Sequence, residues 1–173
     1  HIEADEGGAL NEGLAAAPDA TVTHGGIGCA IWLNDQAPRP PRALADNETI
    51  DLGGRRVRRL DTPHVPHCWD AGLFFETVDG TLLCSDLFFH PGDTEPLNDS
   101  GVLDRARESI VQNLSSPLAK DMPYTSYTDA TLRRLADLKP RTLALMHGSS
   151  FRGNGQKEIL ELASVIKETI GRE

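Results

Sequence analysis

The chain has 173 residues, 39% of them hydrophobic, and a formal net charge of −9. That is one domain's worth of chain with enough apolar material for a core, and no apolar run approaches the roughly 20 residues a membrane-spanning helix needs. The acidic balance argues against nucleic acid as a partner, because phosphate recognition needs a basic footprint, and no segment resembles a signal peptide.

Taken in chain order, Glu6 to Ala17 places Leu10 and Leu14 one turn apart and ends before Pro18, which predicts a short helix. Ala20 to Thr23 reads as a strand, and Gly25-Gly26 opens a second helix through Trp32 and Leu33. A Pro-rich connection, Gln36 to Pro41, follows. Thr49 to Leu52 and Arg56 to Leu60 alternate around Gly53-Gly54, a hairpin signal. Ala71 to Val78 and Thr81 to Ser85, joined at Asp79-Gly80, predict a second hairpin whose apolar runs suggest strands covered on both faces.

Phe88 to Ser100 is a long loop; Val102 to Leu114 and Asp129 to Leu138 predict helices; Leu143 to Met146 is an apolar strand ending at His147, and Gln156 to Ile170 is a last amphipathic helix. Helices and strands interleave without a repeat or an internal boundary, so residues 1–173 read as one α/β domain. The basic cluster Arg55, Arg56, Arg58 and Arg59 reads as the solvated side of a strand. Cys29, Cys68 and Cys84 form no CxxC pair and no even disulfide set. They are expected to be buried free thiols in a reducing, cytoplasmic setting.

His1, Glu3 and Asp5 alternate, so an extended segment would turn all three to one side. His67 precedes an apolar strand, Asp86 follows one, and His147 follows another. Metal-binding residue types thus recur just past strand ends, where α/β folds gather their sites. Three imidazoles and three carboxylates suffice for two metal ions sharing one carboxylate. His64 competes with His67 but lies in a Pro-rich loop; Cys68 adjoins His67 and reads as a small packed residue. His24 and His90 are expected either to orient carboxylates or to be ordinary loop histidines. Trp69, Tyr124 and Tyr127 either wall a small pocket over the metals or simply pack.

The order His-x-Glu-x-Asp, a distant His, an Asp, and a His in Met-His-Gly resembles the metallo-β-lactamase superfamily, within it the flavodiiron and oxygen-binding di-iron branch. The intervening lengths are 61 residues from Asp5 to His67, 18 from His67 to Asp86 and 60 from Asp86 to His147. The resemblance implies an αββα sandwich, with one iron held by His1, Glu3 and His67, a second by Asp5 and His147, and Asp86 bridging. Superfamily hydrolases commonly carry His where this chain has Glu3, and a carboxylate there makes the site harder and favours iron. Many members carry His directly after the motif's Asp. Glu6 stands there instead, as a second-sphere acid, together with Tyr124 a candidate neighbour of the metals, or as a helix N-terminal residue favouring the dipole.

The family's fold begins with strands ahead of the motif, and this chain opens on His1, so it is expected to be a fragment lacking those strands. The resemblance implies two irons binding dioxygen or nitric oxide, as a sensor or carrier, or as a reductase fed by a separate flavoprotein, with no flavin in this chain. A signalling partner and a homodimer are implied by analogy. The alternative is a dinuclear zinc hydrolase, in which a bridging hydroxide is oriented by Asp5.

Overall fold

Residues 1–171 are described by a computed structural model. The first three residues lead into a single helical turn, α1 (Ala4–Gly7), and a second short helix, α2 (Leu10–Ala16). One helix from Glu6 to Ala17 was expected; the break falls after Gly7-Gly8, where two glycines remove the local preference for continuing. After β1 (Thr23–Gly25) the chain is helical over 26–36, as α3 (Gly26–Gly28), a π turn (Cys29–Leu33) and α4 (Asn34–Gln36). The strand expected at Ala20 to Thr23 therefore lies a few residues later. It pairs in parallel with β2 (Arg42–Leu44), whose three residues are too few to show an alternation.

The main sheet begins with the hairpin β3 (Thr49–Asp51) and β4 (Arg56–Asp61). Its turn uses Gly53 and Gly54 at φ 82° and 96°, with Asp51 Oδ1 accepting from both their amides at 2.9 Å. A second hairpin joins β5 (Gly72–Glu76) to β6 (Thr81–Leu83), followed by β7 (Leu97–Asn98), β8 (Thr142–Ala144) and β9 (Ser150–Arg152). The spatial order is β3-β4-β5-β6-β8-β9-β7. β6 and β8 are parallel, with Leu82 opposite Leu143, and this pairing places the ends of both strands at one edge.

The second hairpin is fully covered on one face and only partly on the other: burial alternates along β5, where Phe74 is half-buried against Arg59, and Leu83 is exposed. Its buried side packs against three helices, α5 (Val102–Asn113), α6 (Thr128–Ala136) and α7 (Gly155–Thr169). Leu82, Leu132, Leu135, Leu143, Ile159 and Leu162 are fully buried there, each stabilising the fold by about 1.5–3 kcal/mol. Asn154 caps α7 by accepting from the Lys157 amide at 3.1 Å. The result is a mixed α/β fold built on a multi-stranded sheet, as the sequence implied. Among the described residues, no helix is long and apolar enough to cross a membrane.

The arginine cluster corrects one expectation. Arg55 and Arg56 are exposed, but Arg59 is 2% exposed, donating to the Leu60 carbonyl and pairing with Asp61 at 3.2 Å. The β4 alternation turns Arg59 inward, where Phe74 lies against its guanidinium and burial pulls its pKa down.

Candidate metal centre

Because β6 and β8 run in parallel, Asp86 and His147 emerge three residues beyond each strand end on the same edge of the sheet. Ser85 turns the chain toward Asp86 with a left-handed φ of 48°, a conformation that a serine adopts only when its surroundings hold it. Glu6 supplies part of that hold, accepting from Ser85 Oγ at 2.5 Å. His67 arrives on the buried loop between β4 and β5. The N-terminal segment brings His1, Glu3 and Asp5 across the same edge. Their convergence does not come from an extended alternation: Glu3 is extended, whereas Asp5 lies in the turn α1, which swings it away from Glu3.

The six expected ligands meet around Asp86. Asp86 Oδ2 is 3.1 Å from His67 Nε2 and 3.3 Å from His1 Nε2, and its Oδ1 is 3.3 Å from His147 Nε2. His1 Nε2 is also 3.4 Å from Glu3 Oε1, and His147 Nε2 is 3.0 Å from Asp5 Oδ2. Three overlapping groups of donors capable of holding an ion result: His1, Glu3, His67 and Cys68; His1, Glu6 and Asp86; and Asp5, Asp86 and His147. Cys68 stands at the edge of the first group, its Sγ 3.7 Å from His67 Nδ1.

The electrostatics favour a cation. Glu3 is pushed above the usual carboxylate range by partial burial and then by Asp121, Asp5 and Asp86, against the opposing pull of His67. His67 is pushed up by its hydrogen bond with Asp86, which outweighs its burial, with Asp121 and Glu3 adding to the effect. His1 Nε2 is buried without a hydrogen-bond partner although two carboxylates surround it. An imidazole nitrogen aimed at carboxylate oxygens and left unpaired is what a ligand set leaves behind, so the residues present fit a pair of metal ions.

A cavity of about 250 Å³ opens directly over the cluster. Glu3, Asp5, His67, Asp86 and His147 form its floor, and Phe89, Ile110, Leu114, Leu118 and Met122 its mostly apolar walls. Apart from Phe89, on the loop after β6, these walls come from α5 and the loop after it, whose spacing reads only as ordinary helix and loop. Asp121, on that loop, lies 3.1 Å from His67 Nδ1, and nothing in its local sequence marks it.

Several expected neighbours lie elsewhere. Trp69 and Tyr127 are 48% and 68% exposed and do not line the cavity. Tyr124 packs against the helical core, its hydroxyl pushed up by burial and by Asp129. His24 faces a separate cavity behind His1, 4.0 Å from Asp70, because β1 directs it toward Arg59. Burial first, then Arg59, lowers its pKa. His90 orients no carboxylate. Its Nε2 accepts from the Ser149 amide at 2.9 Å, which leaves Nδ1 to donate to the Phe88 carbonyl at 3.1 Å. It braces the turn that carries His147. His64 stays in its loop, outside the donor groups.

No protein-family model and no curated protein sequence matches the chain. Solved structures do. The rubredoxin:oxygen oxidoreductase of Desulfovibrio gigas superposes with a TM-score of 0.76 at 22% identity, over 95% of this chain and 42% of its own. The Flv1 flavodiiron core of Synechocystis gives 0.74 at 21% identity, over 97% of this chain and 42% of its own. A chemotaxis sensor, ODP, described as a peroxy diiron species, gives 0.69 at 13% identity, over 95% of this chain and 67% of its own. The chain has the metallo-β-lactamase-type fold of the flavodiiron proteins and ODP, and spans about two fifths of the flavodiiron chains it matches.

Proposed function

We propose that this chain holds two iron ions and binds dioxygen or nitric oxide in the cavity above them. The observation that carries the reading is the placement of Asp86, whose two oxygens face two separate donor groups, His1 with His67 on one side and His147 on the other. In this reading His1, Glu3 and His67 hold one ion, Asp5 and His147 the other, and Asp86 bridges. Three carboxylates among six donors make a hard, anionic site that favours iron over zinc. Bound as ferrous ions, the pair would supply open coordination positions and electrons to a diatomic gas.

The protein's own contribution is shape and dryness. Phe89, Ile110, Leu114, Leu118 and Met122 offer a small neutral molecule an apolar space and exclude competing water. Glu6 holds the Ser85 turn and so aims Asp86, and His90 does the same for His147 through Ser149. With a separate flavoprotein as donor, the chain is a reductase, and a homodimer would let electrons pass between subunits; with a signalling partner, it is an oxygen sensor. Three unpaired cysteines accord with a reducing cytoplasm for either role.

The test is metal analysis of protein purified anaerobically from iron-supplemented cells, with the visible spectrum followed as air is admitted. About two irons per chain and a new ferric absorption on oxygenation support the reading. Two zinc ions with no response to oxygen overturn it in favour of a dinuclear hydrolase.

A further inference from the structure

His67 is the one histidine of the cluster whose two ring nitrogens both face carboxylates. Nε2 is hydrogen-bonded to Asp86 Oδ2 at 3.1 Å, and Nδ1 lies 3.1 Å from Asp121 Oδ1 as an ion-pair contact that a small rotation of the carboxylate would align into a hydrogen bond. Glu3, the other carboxylate near Nδ1, is farther away at 3.7 Å and stands closer to His1 Nε2, at 3.4 Å. The two sides of the ring therefore have different tasks. Nε2 converges with His1 Nε2 on the same Asp86 oxygen, as a ligand must, while Nδ1, with Glu3 and Cys68 Sγ each at 3.7 Å, has its shortest contact with Asp121, a residue of none of the donor groups. A histidine that binds metal through one nitrogen commonly donates its other N–H to a carboxylate, which fixes the tautomer and the ring plane and makes the ligand more basic.

Asp121 sits on the loop between α5 and α6, and the same loop lays Leu118, Ala119 and Met122 over the cavity. Apart from short turns such as Ala119 to Ser116 and Asp121 to Leu118, the backbone hydrogen bonds of residues 115–121 include none to the sheet. Its attachment over the metals thus depends on side chains. The Asp121 carboxylate, though 43% exposed, is the loop's charged contact with the floor.

We propose that Asp121 is a positioning residue that accepts the His67 Nδ1 proton in a hydrogen bond, fixing Nε2 toward the metal and fastening the apolar roof to the loaded site. This rests on the two-metal reading above. It adds that metal loading and roof order are coupled through one contact: a metal on Nε2 strengthens Nδ1–H as a donor, which holds Asp121 and with it Leu118, Ala119 and Met122.

The experiment uses the full chain labelled with ¹⁵N-histidine and zinc as a diamagnetic probe, comparing wild type with Asp121→Ala, Asp121→Asn and the neighbouring control Lys120→Ala. The wild type is expected to show a slowly exchanging His67 Nδ1–H signal with Nε2 coordinated, and slowed amide exchange over residues 115–123 on zinc addition. Asp121→Ala should lose that signal and that protection and bind zinc about 10–100-fold more weakly by chelator competition. Asp121→Asn should fall between, since its amide oxygen still accepts, and Lys120→Ala should match wild type. If Asp121→Ala fails to fold, Asp121→Asn, which keeps the side-chain shape, carries the same comparison. Wild-type affinity and an unchanged His67 signal in the Asp121 variants would overturn this role while leaving the two-metal reading intact. A wild type that takes up no zinc and no iron would overturn both.

Discussion

His67 Nε2 stands 3.1 Å from Asp86 Oδ2, while the second oxygen of that carboxylate is turned to His147. A carboxylate so placed couples two donor groups, and removing it should cost both. Asp86→Ala is expected to hold well under one metal per chain, whereas His147→Ala should keep about one, in the His1, Glu3 and His67 group. Elemental analysis of the purified variants decides this; a full pair of metals in Asp86→Ala would remove the bridging role.

Protons compete for the same donors, and the sign differs between the metal-free and loaded protein. Glu3 and His67 both have folded pKa values above their ordinary ones, Glu3 mainly through burial and His67 through its bond with Asp86. A raised pKa contributes stability at low pH, below the unfolded value, and that contribution is lost as pH rises through the folded value. Metal-free wild type should therefore lose its stability advantage over His67→Gln as pH rises from about 6 to about 8, a difference that leaves out the depressed His24, which acts with the opposite sign over the same range. Loaded protein should show the opposite trend, because acid displaces the metal. Melting curves of wild type and variant with and without metal across this range test it; parallel trends would contradict the assignment.

Gly148 is expected to tolerate no side chain. Its φ is 103°, and a Cβ there would lie 2.4 Å from His90 Nε2, the atom that receives the Ser149 amide. Gly148→Ala should destabilise the chain by about 2–3 kcal/mol and displace His147, so that the metal held by Asp5 and His147 is lost first. Denaturant unfolding and metal titration measure the two effects separately. Unchanged stability would mean that the turn is freer than its contacts suggest.

Away from the site, Arg134 on α6 grips Asp46 with both terminal nitrogens, at 2.9 and 3.0 Å, and donates to the Asp61 carbonyl at 2.8 Å. Burial alone would raise the Asp46 pKa; the Asp61 amide and Arg134 outweigh it and leave it lowered. The resulting stability is present above the ordinary value of 3.8 and is lost as pH falls below it through the depressed folded value. Because the pair is partly exposed, Arg134→Ala should cost only about 1 kcal/mol near neutral pH, with the difference from wild type shrinking in acid. Chemical denaturation at two pH values checks both halves of this expectation.

The elements that could be read from the chain were those with a strong period or a turn signal. The helices at α5, α6 and α7 and the hairpin at Gly53-Gly54 fall within a few residues of their expected places. Short elements with no glycine turn or apolar run to mark them went unread: β2, β7 and β9 have three, two and three residues, whereas β3, β6 and β8, equally short, were marked in one of those ways. The inward turn of Arg59 was also hidden, because an arginine on a strand reads as solvated unless the partner that buries it, here Phe74, is known. For His24, Tyr124, Trp69 and Tyr127 the two readings stayed open until the structure placed them away from the metals, because residue type says what a side chain can do but not which cavity it faces.

By itself the sequence determined the donor inventory, His1, Glu3, Asp5, His67, Asp86 and His147, and the order that resembles a di-iron site, since ligand chemistry is a property of residue type and spacing. Only the tertiary structure decided how those donors divide around Asp86, which residues roof the cavity, and that Asp121 reaches His67. These relations join residues tens of positions apart through the parallel pairing of β6 with β8 and the fold of a loop over it. Such contacts are selected by the packing of the whole chain and leave no periodic trace in any part of it.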